Sequence, residues 1–271
     1  GFRIVAKSAR LHSFDLLGSN PTIPDYVVEV DGAFGSRYQN APGPVQELAQ
    51  LQRIGDLIRD TESFLESHHR HIFGRPDNHL TKALECYRPI DWHLDFKSGY
   101  RWNPELWWLD TPVAPAPGVD IKLPWELSRS HHLVAIALAG VSGYDTVRNK
   151  EDAATEISLQ ILDWIAANPV RFGVNWRSAM DVSIRAANWI IALSILGSEA
   201  FSSPVLWLIA KSLYQHGQFV ESHLDFARIG SNNHYLADIV GLLHISAALP
   251  QVPESDAWAA LCIQELVVEM G

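Results

Sequence analysis

Six consecutive apolar stretches with helical periodicity fill the second half of the chain, and they limit its fold more than any other feature. They cover residues 125–141, 150–168, 177–196, 204–224, 232–249 and 254–270. Each stretch is apolar around most of its circumference, which is typical of helices buried between other helices. Successive helical hairpins of this kind predict an all-α fold, either an α/α toroid or a plain helical array.

Helix-breaking residues lie where these stretches end. Gly140 and Gly143 are expected to end the first helix, Asn168-Pro169 the second and Gly197 the third, because glycine and the residue before proline leave the helical conformation readily. Ser203-Pro204 is expected to begin the fourth helix, as a cap followed by proline in the first turn.

The first 124 residues are less regular. Tyr26 to Val30 predicts a short strand, residues 47–73 have helical spacing, and residues 74–124 contain much Pro, Gly and Trp without clear periodicity. We expect residues 74–124 to be a long, irregular and packed segment of the kind that often carries function. The whole chain has ten tryptophans, which serve either as large core residues or as platforms for sugar rings, and the count alone favours the core.

Charge and composition exclude several functions. The formal net charge of −10 argues against general nucleic-acid binding, which needs a basic surface, although a local basic cleft on an acidic protein can still bind a polyanionic sugar. The longest apolar runs are too short to cross a bilayer. No phosphate-binding glycine motif is present, and the two distant cysteines do not have metal-ligand spacing.

The stretch at 177–196 carries one narrow polar stripe on an otherwise apolar helix. Arg177, Asp181, Arg185 and Asn188 are spaced four, four and three residues apart, so they share one face. Two interpretations stay open at this point: an internal ion-pair ladder of Arg177, Asp181 and Arg185, or the functional lining of a central cleft.

Two other stretches carry polar residues near their beginnings. In the helix at 232–249, Ser231 or Asn232 is expected to be the cap and Asp238 lies four residues after His234, where it can orient the imidazole; a capped helix with a hydrogen-bonded core histidine explains the pattern equally well. In the helix at 125–141, His131 and His132 point about 100° apart, so at most one of them is expected to face a cleft.

An ordered set of motifs between residues 90 and 250 resembles the heparinase II/III-like family of polysaccharide lyases. The motifs that carry the resemblance are Ile90-Asp91-Trp92-His93, Ser98-Gly99-Tyr100-Arg101-Trp102, Lys122 to Leu133, Asp163-Trp164-Ile165, Gly173-Val174-Asn175-Trp176, Arg185 to Trp189, Ser231 to Leu236, and Gly241-Leu242 with Leu249-Pro250. Any one motif is weak evidence, whereas the set in this order and spacing is fairly specific.

The resemblance implies a fold and a reaction. Proteins of this family have an N-terminal α/α toroid followed by a β-sandwich domain, and they cleave uronate-containing glycans by β-elimination. We therefore expect residues 90–271 to be an incomplete toroid of helical hairpins, preceded by a mixed N-terminal segment at 1–89. The expected activity is that of a polysaccharide lyase acting on an acidic glycan.

The resemblance also implies site residues. Asn233 would bind the substrate carboxylate and His234 would assist or orient it. One of His131 and His132 would be a further cleft residue, and His132 fits the family spacing better. The expected catalytic residues are Asn233, His234 and His132, and the expected substrate-binding residues are Arg129, His131, Trp176, Arg177, Arg185 and Tyr235.

The family's catalytic tyrosine and its β-sandwich lie beyond the last stretch of this sequence. We therefore expect this chain to be the N-terminal helical domain of a longer bacterial protein, inactive alone and packed against its own sheet domain, in the periplasm or cell envelope. No cofactor or metal is expected in this part, because the family's structural metal belongs to the sheet domain.

Two alternative functions stay open. One is a toroid glycoside hydrolase using Asp181 and Asp238 as its carboxylate pair. The other is a non-catalytic glycan-binding or exopolysaccharide-assembly module.

Overall fold

The computed structural model describes residues 44–67, 78–142, 149–225 and 233–270. In these ranges the chain is helical, with two isolated β-bridges and no longer strand. The α-helices are α1 (Pro44–Ser67), α2 (Asn78–Cys86), α3 (Lys122–Ser128), α4 (His131–Ser142), α5 (Lys150–Ala167), α6 (Ala179–Leu196), α7 (Ser203–Ser222), α8 (Asn233–Ala248) and α9 (Ser255–Met270). The strand predicted near residues 26–30 lies outside the described residues.

The helices from α4 onward alternate between two layers. Helices α4, α6 and α8 pack side by side in one layer, while α5 and α7 pack behind them together with α1, and α9 packs on α8. Each helix is therefore followed by one in the opposite layer, which is the hairpin arrangement of an α/α toroid. The predicted all-α fold, an incomplete toroid, is confirmed.

Local sequence explains both ends of α5 and the end of α6. Asn149 begins α5 with a capping box, accepting hydrogen bonds from the backbone N–H groups of Glu151 and Asp152, as capping side chains do. The helix ends at Asn168, whose side-chain amide donates to the Trp164 carbonyl at 2.8 Å. Gly197 ends α6 with a φ of 77°, a conformation that favours glycine.

The single helix predicted at 125–141 is wrong, because the chain forms two helices that meet at Arg129 and Ser130. Ser130 has a φ of 59°, which interrupts the helical hydrogen bonding. Its hydroxyl donates to the Ser128 carbonyl at 3.2 Å and accepts from the Trp189 indole at 3.1 Å. The break therefore depends on a partner in α6 that the local sequence does not contain.

Gly140 was expected to end a helix but lies inside α4, which continues to Ser142. A Cβ at Gly140 would lie 2.5 Å from the Ala153 Cβ of α5. The glycine is therefore a point of close helix approach and not a stop signal, while Gly143 lies outside the described residues.

The core is rich in tryptophan. Trp92, Trp102, Trp164, Trp176, Trp189 and Trp258 are among the largest fully buried side chains. Trp92 and Trp102 belong to the irregular segment between α2 and α3, which is packed into the protein as predicted. The prediction that all of residues 74–124 are irregular is wrong for α2, which is helical over Asn78–Cys86. These six tryptophans are therefore core residues, which is the role that their number in the sequence favoured.

Asp163 of α5 joins residues on both sides of the predicted boundary at residue 89. Its carboxylate accepts hydrogen bonds from Gln50 Nε2 at 2.5 Å, Tyr87 Oη at 2.9 Å, the Ile90 backbone N–H at 2.8 Å and Trp92 Nε1 at 3.1 Å. Helix α1 and the end of α2 therefore share a core with the toroid helices.

Within the described part of the chain, α6 is the one helix long and apolar enough to cross a membrane, and 56% of it is buried inside the protein. It holds the buried side chains of Asp181 and Arg185. Both features are those of a central core helix.

Candidate functional site

The beginnings of α4, α6 and α8 lie side by side. Arg129, just before α4, contacts Asp181 in the first turn of α6, with Nε and Oδ1 2.6 Å apart. Ser183 of α6 donates to Asp238 in the second turn of α8 at 3.4 Å. We call the residues at these three helix beginnings the N-terminal edge. Unpaired backbone N–H groups give such helix ends a partial positive charge, which favours anionic ligands.

Arg129 and Asp181 form the ion pair at the centre of this edge. The Arg129 guanidinium bonds Asp181 through Nε and Glu126 through Nη1, the latter at 2.5 Å. Asp181 is 1% exposed, so removing the arginine would leave a carboxylate buried without this partner. The ladder of Arg177, Asp181 and Arg185, one of the two interpretations of this stripe, is therefore wrong in its pairing, because the direct partner of Asp181 is Arg129, between α3 and α4.

Arg185 lies in the core and makes no ion pair within the described residues. Its Nε donates to His216 Nε2 at 2.9 Å and its Nη1 to Ser128 Oγ at 3.1 Å, while its guanidinium lies 3.9 Å from the centroid of the Trp164 ring. Burial lowers the pKa of Arg185 to about 9, and the charge of Asp181 opposes this shift. Because Arg185 is fully buried, it does not reach the surface of the N-terminal edge.

The adjacent histidines lie in different environments. His132 is 2% exposed and its Nε2 is 2.7 Å from Gln160 Oε1 of α5, while burial lowers its pKa to about 4. His131 is partly exposed, and its Nδ1 is 2.9 Å from the Asn188 side-chain amide. Burial and the nearby Arg129 charge also lower the pKa of His131. Of the two, His131 is the one that reaches the surface of the N-terminal edge.

Asn233 and His234 are both exposed in the first turn of α8. His234 Nδ1 lies 3.2 Å from Asp225 Oδ2, so Asp225 takes the orienting position expected for Asp238. Asp238 is fully buried, accepts hydrogen bonds from Ser183 and the Asp225 backbone N–H, and has its pKa raised to about 7 by burial. The predicted caps Ser231 and Asn232 lie outside the described residues.

The other predicted substrate-binding residues differ in exposure. Trp176 is fully buried, and Tyr235 is 4% exposed with its hydroxyl donating to Glu265 at 2.8 Å. Arg177 is partly exposed, with its guanidinium 5.7 Å from the centroid of the Trp108 ring. Of these three side chains, Arg177 is therefore the one that reaches the surface.

Sequence reasoning missed several residues around this edge. Asn175 joins two loops, because its amide donates to the Trp92 carbonyl at 2.9 Å and to Asn168 Oδ1 at 2.8 Å. Trp107 and Phe172 form an exposed edge-to-face pair with centroids 5.5 Å apart. Only the Trp107-Trp108 doublet in an aperiodic segment could have drawn attention to this pair in the sequence.

No group of three or more His, Cys, Asp or Glu side chains suited to a metal occurs in the described ranges. The described side chains at the edge include imidazoles, an amide and guanidinium groups. These groups can bind a carboxylate, orient it and exchange a proton with a bound sugar.

Comparison with known proteins gives one family match. Residues 65–271 match the family model described as the heparinase II/III N-terminus. Two solved structures of a heparinase III gene product, one with methylated lysines, are similar at 19% and 20% identity, each with a TM-score of 0.46. The matched regions cover 85% and 88% of this chain. They cover only 38% and 39% of the length of the two heparinase III chains. No curated protein sequence matches the chain.

Proposed function

Since the chain belongs to the heparinase II/III N-terminal family, we propose that it is the helical substrate-binding part of a lyase that cleaves a uronate-containing glycan by β-elimination. The observation that carries this proposal is the exposed pair Asn233 and His234 at the N-terminal edge, with His234 held by Asp225 at 3.2 Å. By itself, the family match supports the coarser statement that this chain is a module related to polysaccharide lyases.

The reaction explains why these residue types are needed. A base removes the proton from the carbon next to the sugar carboxylate, and the electron pair left behind forms a carbon–carbon double bond as the glycosidic carbon–oxygen bond breaks. The leaving oxygen takes up a proton. An amide or cation that neutralises the carboxylate stabilises the enediolate-like transition state.

In this proposal Asn233 donates its amide N–H to the substrate carboxylate, and His234 positions that carboxylate or exchanges a proton with it. His131 takes the further cleft position, because it is partly exposed whereas His132 is enclosed. Arg129, Asp181 and Asn188 hold that part of the edge in place. Asn188 does so by donating to the Arg129 carbonyl at 2.8 Å.

The described geometry gives less support to a glycoside hydrolase. Its two nominated carboxylates, Asp181 and Asp238, are 1% and 0% exposed and already engaged by Arg129 and Ser183. A hydrolase would need both carboxylates to face the glycosidic bond.

The proposed partners are an acidic polysaccharide and a sheet domain in the same polypeptide. A periplasmic or cell-envelope location is part of the same proposal, because a polymeric glycan of that kind is met outside the cytoplasm.

The test is to incubate the longest protein that the gene encodes with a panel of uronate polysaccharides and to follow the ultraviolet absorbance of unsaturated ends. Asn233→Ala is expected to lower kcat/KM by 100-fold or more, since one electrostatic donor to a developing oxyanion contributes about 3–4 kcal/mol. His244→Gln, also in α8 but bonded to the Val240 carbonyl at 2.8 Å, is the matched control and should keep nearly full activity.

Three results distinguish the candidate functions. Unsaturated product that disappears with Asn233→Ala supports the lyase. New reducing ends without ultraviolet absorbance would replace it with a hydrolase. Glycan binding without any turnover would leave a binding module.

A further inference from the structure

Arg171 and Arg177 flank one aromatic cluster beside the N-terminal edge. The Arg177 guanidinium lies 5.7 Å from the centroid of the Trp108 ring, and the Arg171 guanidinium lies 6.0 Å from that of the Phe219 ring. The two rings touch edge to face with centroids 5.3 Å apart. The two cations therefore lie over adjoining surfaces of a single aromatic group.

The loop geometry holds this cluster in place. Trp108 donates its backbone N–H to the Arg171 carbonyl at 3.0 Å, and Gly173 donates to the Leu106 carbonyl at 2.8 Å. Arg171 has a φ of 66° and Gly173 a φ of 75°. Both lie in the turn just before a short 3-10 helix, Val174–Trp176, that precedes α6. His223 closes the other side, stacked on Phe219 with ring centroids 4.4 Å apart.

Neither guanidinium is paired with a carboxylate among the described residues. Both side chains are partly exposed. The Nε atom of Arg177 is nevertheless buried and has no hydrogen-bond partner among the described residues. Contact with aromatic faces stabilises a cation but does not use its N–H donors. Both guanidinium groups therefore carry N–H donors that the described residues leave available for an anionic ligand.

We propose that Arg171 and Arg177, in the loop that leads into α6, form an anion subsite for an acid group on the glycan. The inference rests on the proposed function, and it adds a second point at which the glycan is held. Guanidinium groups bind planar carboxylates and sulfates through paired N–H donors. The ligand is a carboxylate or sulfate on a sugar other than the one being cleaved.

The test measures binding of this chain to three hexasaccharides by calorimetry: an unsulfated uronate glycan, a sulfated one, and the unsulfated one with its carboxyl groups reduced to alcohols. Arg171→Gln and Arg177→Gln should each weaken the affinity for the acid forms by about tenfold, which is about 1.4 kcal/mol. Each should also flatten the dependence of affinity on salt, because one charge contact is lost. The first two hexasaccharides distinguish carboxylate from sulfate as the preferred group.

Arg53→Gln changes an exposed arginine on α1 and is the matched control, with no expected effect. Arg177→Lys keeps the charge and should retain more affinity for the acid forms than Arg177→Gln. A purely structural role for Arg177 would lower the melting temperature and leave the salt dependence unchanged.

The subsite is refuted if the wild-type chain binds neither acid hexasaccharide, if both Gln variants bind them as tightly as wild type, or if affinity for the reduced form falls equally. The lyase assay on the longer protein is independent of these results. If the longer protein cleaves the glycan but the Gln variants bind the hexasaccharides as tightly as wild type, the proposed function stands and the subsite is refuted. If the Gln variants bind more weakly but the longer protein cleaves no glycan, the subsite stands without the lyase function.

Discussion

Asp163→Ala is expected to destabilise the fold by a large and calculable amount. The carboxylate of Asp163 is fully buried and accepts from three buried donors: Tyr87 Oη, the Ile90 backbone N–H and Trp92 Nε1. Each donor left unpaired costs about 1–2 kcal/mol. The sum is about 3–6 kcal/mol, against a total unfolding free energy of about 5–15 kcal/mol for a domain.

The assay is urea unfolding followed by tryptophan fluorescence, because six of the ten tryptophans are fully buried in the core and report on its unfolding. Burial raises the pKa of Asp163 to about 7, although its hydrogen-bond donors oppose the shift, so the measurement belongs at pH 8, where the carboxylate is ionised. Asp163→Asn keeps the size and one acceptor oxygen, so its loss should be intermediate. Asp60→Ala, an exposed residue of α1, is the control.

A loss below about 1 kcal/mol for Asp163→Ala would refute the reasoning, because that is the expected worth of a single hydrogen bond. It would mean that the three donors find other partners in the variant. The association of α1 and the end of α2 with α5 would then depend on apolar packing alone.

Three further predictions concern stability. Gly241→Ala should cost about 1–3 kcal/mol in urea unfolding, because the new Cβ would lie 2.5 Å from the Ser183 Cβ and 2.7 Å from its Cα; unchanged stability would contradict this close approach. His132→Gln should flatten the fall in stability between pH 6.5 and 4.5, because burial lowers the folded-state pKa of His132 to about 4, so stability is lost as pH falls below the unfolded value; an unaltered slope would count against it. Arg129→Ala should destabilise by about 3–5 kcal/mol by leaving Asp181 buried without its partner, and adding Asp181→Ala should recover part of that loss; additive losses in the double variant would show that the pair does not interact.

The helices from α5 onward could be predicted from sequence because their signals are local. Apolar spacing, the proline after Asn168 and the glycine at position 197 all act within one or two turns of the chain. The observed bounds of α5 and α6 differ from the predicted stretches by one and two residues at most. Their arrangement as hairpins follows because apolar helices joined by short connections bury one another.

The candidate site could be predicted only in part. Asn233 and His234 are both exposed, and their roles in the site stay predictions. Asp225 was not foreseen as the partner of His234, because a contact nine residues away across a helix beginning has no periodic signal. Arg171 was missed for a similar reason, since a turn residue in the left-handed region does not follow any helical stripe.

From α5 onward, the sequence by itself determined which segments are helical and which faces of them are apolar, because both depend on residues within a few positions of each other. The helix α2 and the break at Ser130 were not determined in this way. Only the tertiary structure decided which polar side chains meet. Asp181 bonds Arg129, 52 residues away, instead of Arg177 in the turn before it. His132 is enclosed and His131 reaches the surface because the break at Ser130 sets the rotation of α4 against α5. Such pairings depend on packing between distant segments, which local periodicity does not encode.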